Sequence, residues 1–228
     1  MEYNLNKTLD QSAGRQVARN SVLRNTYWLL ALSMIPTVLG AAIGVAFGVP
    51  MPRGFIGALL FLGIAFGFIW AIEKNKHSGA GVALLLGFTF FMGLMLTPLL
   101  NRTLGYGNGG TLIMLAFGGT ASIFAVLASI ATVSKRDFSG VAKFAFVGLV
   151  LIILASLANI FFQIPALTLT ISVLAIGIFS AFILYDVQRI VNGGETNYIS
   201  ATLALYLDVY NIFTSLLQIL GFTSGNRE

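Results

Sequence analysis

The sequence has no cysteine and a single histidine, His77. The first absence excludes a disulfide framework, thiolate catalysis and a thiol-ligated metal. The second excludes any site that needs two imidazoles, the HExxH zinc proteases among them. Charge is scarce too. Asp, Glu, Lys and Arg make up 9% of the 228 residues, against roughly 25% in an ordinary soluble domain. Eight acids and thirteen bases cannot coat the water-exposed surface of a chain this long. What fills it is apolar: 57% of the residues are hydrophobic, and the mean hydropathy is +0.89. That composition belongs to an integral membrane protein and rules out a soluble enzyme, a secreted module and a disordered tail. The 19 phenylalanines suit lipid-facing bulk, and the 25 glycines suit close helix crossings.

A helix that crosses a bilayer needs about 20 mostly apolar residues. Seven stretches qualify: Thr26–Val49, Gly54–Ile72, Gly79–Leu99, Thr111–Val133, Gly140–Phe162, Ala166–Val191 and Tyr198–Phe222. They are long apolar runs without the period-2 alternation of a barrel strand, so the expected fold is all-α. Pro50, Pro52 and Pro165 fall at breaks between spans, and Pro98 closes the third. The chain then divides into a polar cytoplasmic N-terminal tail (1–25), a seven-helix transmembrane domain (26–222) and a short C-terminal tail (223–228). The apolar run after Arg24 is too long for a signal-peptide core, so the first helix is expected to be retained.

The bases set the orientation. With the N-terminus inside, Lys7, Arg15, Arg19, Arg24, Lys74, Lys76, Lys135, Arg136, Lys143 and Arg189 all fall inside, and only Arg53, Arg102 and Arg227 outside. Positive residues favour the cytoplasmic side, so the C-terminus is expected outside. The alternative makes the last segment re-entrant, with both ends inside. The net charge of +5 is scattered over these loops, which points to topology and away from nucleic acid. Gly40, Gly44 and Gly48, then Gly63 and Gly67, then Gly177 with Ala181, repeat at four-residue spacing, and this is read as close packing inside the bundle, with homodimerisation the alternative. Tyr27, Trp28 and Trp70 read as interface anchors. Gly105-Tyr106-Gly107 lacks the preceding Thr-Val of a potassium filter and reads as a turn.

A charge in mid-bilayer is costly, so an intramembrane acid marks a functional candidate. Glu2, Asp10, Glu73, Asp137, Glu195 and Glu228 fall in tails or inner loops; Asp186 and Asp208 do not. Asp208 lies midway along the last span, with Asn211 and Ser215 on the same helical face and Gln218 near its edge. Asp186 lies toward the inner end of the sixth span, beside Tyr185 and with Arg189 three residues on. Its structural alternative is an interfacial pair with Arg189; that of Asp208 is a hydrogen-bonded acid that holds the bundle. The two spans are joined by Asn192-Gly193-Gly194-Glu195-Thr196-Asn197, whose glycines suit a helix end and whose Thr196 or Asn197 suits an N-cap. For straight helices the depths of the two acids differ by about 8 Å. A kink or a shifted boundary brings them level, and they are expected within hydrogen-bond reach, directly or through water. Two carboxylates on one site cannot both ionise cheaply and would share a proton. Calcium prefers six to eight oxygen ligands, so Asp186 and Asp208 would offer it weak or transient capture only.

The sequence resembles the Bax inhibitor family (transmembrane Bax-inhibitor-motif proteins), in particular its bacterial YccA-like branch. The resemblance rests on Val22-Leu23-Arg24-Asn25-Thr26-Tyr27, Thr97-Pro98-Leu99-Leu100, Ser134-Lys135-Arg136-Asp137-Phe138-Ser139 and Asn159 to Leu167. It is densest at Gly193-Gly194-Glu195-Thr196-Asn197-Tyr198-Ile199, then Leu205-Tyr206 and Tyr210-Asn211-Ile212-Phe213. It implies seven transmembrane helices with the last one central and wrapped by the other six. Some members look like pH-sensitive calcium leaks gated by an aspartate pair on the sixth and seventh helices, where Asp186 and Asp208 fall. Others in the branch resemble modulators of the membrane AAA protease FtsH. Not all of that branch keeps both acids. The leak-type members carry an intramembrane arginine on the second helix; Gly54–Ile72 has no base here, so any partner for the acids would be Arg189.

Three functions follow. The first is a pH-sensitive cation leak of the bacterial inner membrane, calcium being the permeant ion, with Asp186 and Asp208 as sensor and gate and with Arg189, Asn211, Tyr185 and Ser215 in support. The second is an FtsH modulator acting by protein–protein contact. The third is a proton-coupled transporter using the same acids. No cofactor and no nucleic-acid partner is expected, and the residue set points away from an enzyme.

Overall fold

The computed structural model describes residues 2–50 and 54–225, with side chains from Asn20 onward. Pro52, Arg53, Arg227 and Glu228, and the side chains of Glu2, Lys7, Asp10, Arg15 and Arg19, lie outside the described residues. Every regular element among the described residues is a helix: α1 (Glu2–Ala46), α2 (Gly54–Lys74), α3 (Gly79–Met95), α4 (Thr97–Leu104), α5 (Gly109–Val133), α6 (Ser139–Phe162), α7 (Pro165–Val191) and α8 (Tyr198–Gly225). Seven stretches are long and apolar enough to cross a membrane. The first is Asn20–Ala46, and α1 continues back from it to Glu2, so the backbone of the polar N-terminal stretch is helical.

The third span corrects the sequence reading. Pro98 does not close it. The helix breaks at Leu96 and resumes as α4, with Pro98 in the first turn, and the span runs Gly79–Leu104. A first-turn proline loses no helical hydrogen bond, and its fixed φ suits the helix.

Helix α8 is the axis of the bundle. It touches α1, α2, α3, α4, α5 and α7, and α6 reaches it only through its neighbours. Its Ile199, Leu205, Tyr206, Ile212 and Leu217 are among the most buried large side chains of the molecule. It also runs from end to end. At its start Asn197 Nδ2 donates to the Lys76 carbonyl at 2.7 Å, beside the α2–α3 turn. At its end Ser224 Oγ donates to Asn108 Oδ1 at 2.9 Å, beside the α4–α5 turn. The re-entrant alternative is therefore not the one adopted.

Lipid is as apolar as leucine, so packing and interhelical hydrogen bonds hold such a bundle. The tightest crossing is α1 against α3 and the start of α4. A Cβ on Gly40 would run into the Phe90 carbonyl, one on Gly93 into the Thr37 carbonyl, and one on Gly44 into Thr97 Oγ1. The other glycine repeats do not serve this way. Gly63, Gly67 and Gly177 have nothing within 4 Å of an added Cβ, because their faces point outward; Gly48 has φ +58 at the end of α1 and likewise meets nothing. Trp28 and Trp70 are largely exposed, as anchors should be, whereas Tyr27 turns inward and meets the Phe124 ring edge-on at 5.9 Å.

Candidate functional site

The α7–α8 corner begins with its turn. Gly193, at φ +77, lets the Gly193 and Gly194 N–H groups return to the Ile190 and Arg189 carbonyls at 3.0 and 2.8 Å. Asn197 then caps α8: its Oδ1 accepts from the Ile199 and Ser200 N–H groups at 2.9 and 3.1 Å. Glu195 Oε1 accepts from the Thr196 and Asn197 N–H groups, both at 2.9 Å. The turn is thus rigid, and it sets α8 antiparallel against α7.

Asp186 and Asp208 come together in that crossing. Their carboxyl groups are within hydrogen-bond reach of each other, despite the axial offset expected for straight, level helices. Asp208 is 5% exposed, and its Oδ2 has no hydrogen-bond partner among the described residues. Asp186 is half-buried. Two bare carboxylates offer only acceptors, so a bond between them requires a proton on one. The opposite face of α8 is fixed. Tyr206 OH lies 2.9 Å from Thr37 Oγ1 and donates to the Thr89 carbonyl at 3.4 Å. Tyr210 OH donates to the Met92 carbonyl at 3.1 Å. Tyrosines tie α8 to α1 and α3, while the acid faces α7.

Asp186, but not Asp208, stands on the wall of a cavity of about 390 Å³, together with Glu73, Lys76, Arg189, Glu195 and Ser200 and with α8 as far as Leu207. Its bases are already engaged. Arg189 Nη2 pairs with Glu195 Oε2 at 3.2 Å, and Lys76 Nζ with Glu73 Oε2 at 2.9 Å. The Glu73 carboxylate beside Lys76 raises the affinity of that ammonium for its proton. Arg189 is therefore near Asp186 without making an ion pair to it, and neither the interfacial Asp186–Arg189 pair nor a base latch is present among the described residues.

The other supporting residues stand apart from the acids. Asn211 Nδ2 returns to its own helix, donating to the Leu207 carbonyl at 2.7 Å. Ser215 is buried and Tyr185 half-buried, and neither bonds to either acid. Sequence reasoning missed Gln188, which is buried two residues from Asp186. Its Nε2 donates to the Arg136 carbonyl and its Oε1 accepts from the Phe138 N–H at 2.9 Å, pinning the α5–α6 loop to α7. It also missed Glu73, Glu195 and Ser200 as cavity walls. The signal available was their placement in loops next to the span that carries Asp186.

A second cavity, of about 750 Å³, lies at the α4–α5 end, and Gln218 and Phe222 of α8 line it. Ser200, Ala204 and Leu207 line the first. At 3.6 residues per turn these five positions share one face of α8, and Asn211 and Thr214 fall on the same stripe between them. Ser172 Oγ of α7 donates to Gln218 Oε1 at 2.9 Å on that line.

Seven membrane-length helices around a central one define a polytopic α-helical membrane protein. The chain belongs to the Bax inhibitor family: the family described as Inhibitor of apoptosis-promoting Bax1 matches residues 19–225. Among its relatives is the Escherichia coli protein named Modulator of FtsH protease YccA, 38% identical over 208 residues, 91% of this chain and 93% of the relative. An uncharacterized membrane protein of Vibrio cholerae is 39% identical over 219 residues, 96% of this chain and 97% of the relative. YccA of a second Escherichia coli strain is named an inner membrane protein.

Proposed function

We propose that the protein is a pH-sensitive cation leak of the inner membrane, with the Asp186–Asp208 contact as its gate and calcium as the permeant ion. The observation that carries this reading is the acid pair itself, set between α7 and α8 with Asp208 buried and Asp186 on the wall of a cavity. From Leu207 to Gln218 is roughly 16 Å of α8 at 1.5 Å per residue. Ile212 and Leu217, buried on that stretch, keep it dry, while Asn211 and Thr214 give the same stretch a polar stripe between the two cavities. The arrangement is that of a closed route with polar groups along it.

The energy scale is adequate. With the shared proton gone, two like charges 4 Å apart repel by about 4 kcal/mol at an effective dielectric of 20. Moving a two-state equilibrium from 1:99 to 99:1 takes about 5.5 kcal/mol. One proton therefore supplies most of what a switch between α7 and α8 requires. The other charged or titratable groups around the cavity are Glu73, Lys76, Arg189 and Glu195, with His77 nearby, 3.5 Å from Asn197. The two ion pairs among them leave the acid pair as the group without a counter-charge. Two carboxylates fall short of the oxygens calcium prefers, which suits transit more than storage.

Calcium entry into dye-loaded proteoliposomes, followed over a pH series, tests the reading. Wild type is expected to give a pH-dependent flux, and Asp208→Asn and Asp186→Asn to lose the profile. A correctly inserted protein with no flux above empty liposomes would sink it. A second reading, modulation of FtsH, is favoured by the name of the Escherichia coli relative. It predicts that the acid variants keep their effect on the protease and that residues before Arg24, on the polar extension of α1, govern it.

A further inference from the structure

We propose that the cavity at the α4–α5 end binds a phosphate-bearing anion, either the headgroup of an anionic phospholipid or a soluble phosphate ester. Its volume of about 750 Å³ lies within the range of small-molecule sites. Arg102 is the one charged residue that lines it. Arg102 is exposed and forms no ion pair among the described residues. A planar guanidinium matches the geometry of phosphate. Tyr106, Asn159, Gln163, Thr168 and Gln218 converge on the same space.

Two of these residues are placed there against local preference. Gln163 ends α6 at φ 51 and is the one non-glycine residue with positive φ among the described residues. Glycine is the usual choice at such a helix end; glutamine accepts the strain and delivers a side chain to the cavity wall. Gln218 carries an amide inside a membrane span. Its Oε1 is taken by Ser172, and its NH₂ has no bond among the described residues, leaving two donors for a ligand. The wall they stand on is preformed. Asn159 Oδ1 accepts from the Ile164 N–H at 2.9 Å, and its Nδ2 donates to Thr168 Oγ1 at 2.7 Å, locking the α6–α7 turn. Helix α4 makes no contact with α6 or α7, so the space between them stays open.

The site's depth and lining suit an amphiphile. The cavity lies where α4 and α6 end and α7 begins, the level at which a bilayer passes from hydrocarbon to headgroup. Leu99, Leu169 and Phe222 add apolar surface to the same lining. A cation at the mouth also disfavours a passing cation, and a bound anion would offset it.

Native mass spectrometry of the purified full chain tests this, with phosphatidylglycerol, phosphatidylcholine and glycerol phosphate as probes. Phosphatidylglycerol is expected to bind wild type about tenfold more tightly than phosphatidylcholine, whose choline offsets its phosphate. Arg102→Gln is expected to remove that preference, a loss of about tenfold or more for a charge-assisted contact. Arg102→Lys, which keeps the charge without the fork, should fall between. Gln163→Gly, which relieves the backbone, should weaken binding a few-fold while leaving the thermal midpoint no lower. Glycerol phosphate binding that Arg102→Gln abolishes, without a lipid preference, supports the site and assigns it to the soluble source. Binding of either phosphate compound unchanged by Arg102→Gln, or no binding of either to wild type, overturns the proposal.

Discussion

A carboxyl group inside a bilayer span persists only where something offsets its desolvation. On the function proposed above, the offset for Asp208 would be a proton shared with Asp186. That partnership was half legible in the sequence. Each acid stands out as a charge within an apolar run, but their depths counted along straight helices disagree. The Gly193 turn and the Asn197 cap decide how α7 and α8 meet, and spacing alone does not encode that. Whether Arg189 pairs with Asp186 was likewise open in the sequence. The Gly193–Gly194 turn brings Glu195 back onto it, leaving Asp186 without an ion pair. Asp137 gives a control at this scale. The Ser139 N–H and hydroxyl donate to its carboxylate and hold it below the usual carboxylate range. A carboxylate so held contributes stability above its ordinary value of about 3.9 and loses it only as pH falls through the lower folded value. It does not titrate near neutrality. Asp137→Asn should therefore leave the pH profile of calcium flux near neutrality in place, and a shifted midpoint would mean that the α5–α6 loop takes part in gating.

At the scale of the helix, small-residue periodicity proved a necessary signal but an insufficient one. Gly40, Gly44, Gly63, Gly67 and Gly177 look alike in sequence, yet only the pair on α1 meets backbone or side chain across a crossing, with Gly93 answering it from α3. Which face turns inward depends on the whole ring of helices, and a helix apolar all round does not announce it. The difference can be measured. Gly93→Ala forces a Cβ against the Thr37 carbonyl and should cost about 1–3 kcal/mol, as overpacking does. Gly63→Ala meets open space and should be neutral or stabilise the helix by up to about 1 kcal/mol. Unfolding of the two variants in mixed micelles compares them, and equal midpoints would contradict the α1–α3 crossing. Pro98 teaches a related lesson: a proline near the end of an apolar run reads as a stop, and here it starts the next helix.

For the whole molecule, seven membrane-length helices and the central position of the last were legible, the first from apolar length and the second from family resemblance. The cavities were not, because their walls come from segments far apart in the chain: Glu73 with Asp186 and Ser200, and Arg102 with Gln163 and Gln218. Positive-inside charge predicts which end faces the cytoplasm, and the cysteine-free chain is a ready background for testing it. Lys135→Cys and Gly110→Cys lie at opposite ends of α5, both exposed. An impermeant thiol reagent added outside intact cells should label Gly110→Cys and spare Lys135→Cys; the reverse pattern would invert the topology. The most direct measurement of all concerns the proton. Infrared difference spectra of the reconstituted protein, recorded as pH is raised from about 5 to about 9, report protonated carboxyl groups in the bilayer. One carboxylic-acid band should disappear across that range in wild type and change in both Asp186→Asn and Asp208→Asn. A spectrum with no such band, or with one that both variants leave untouched, would contradict a shared proton at the α7–α8 contact.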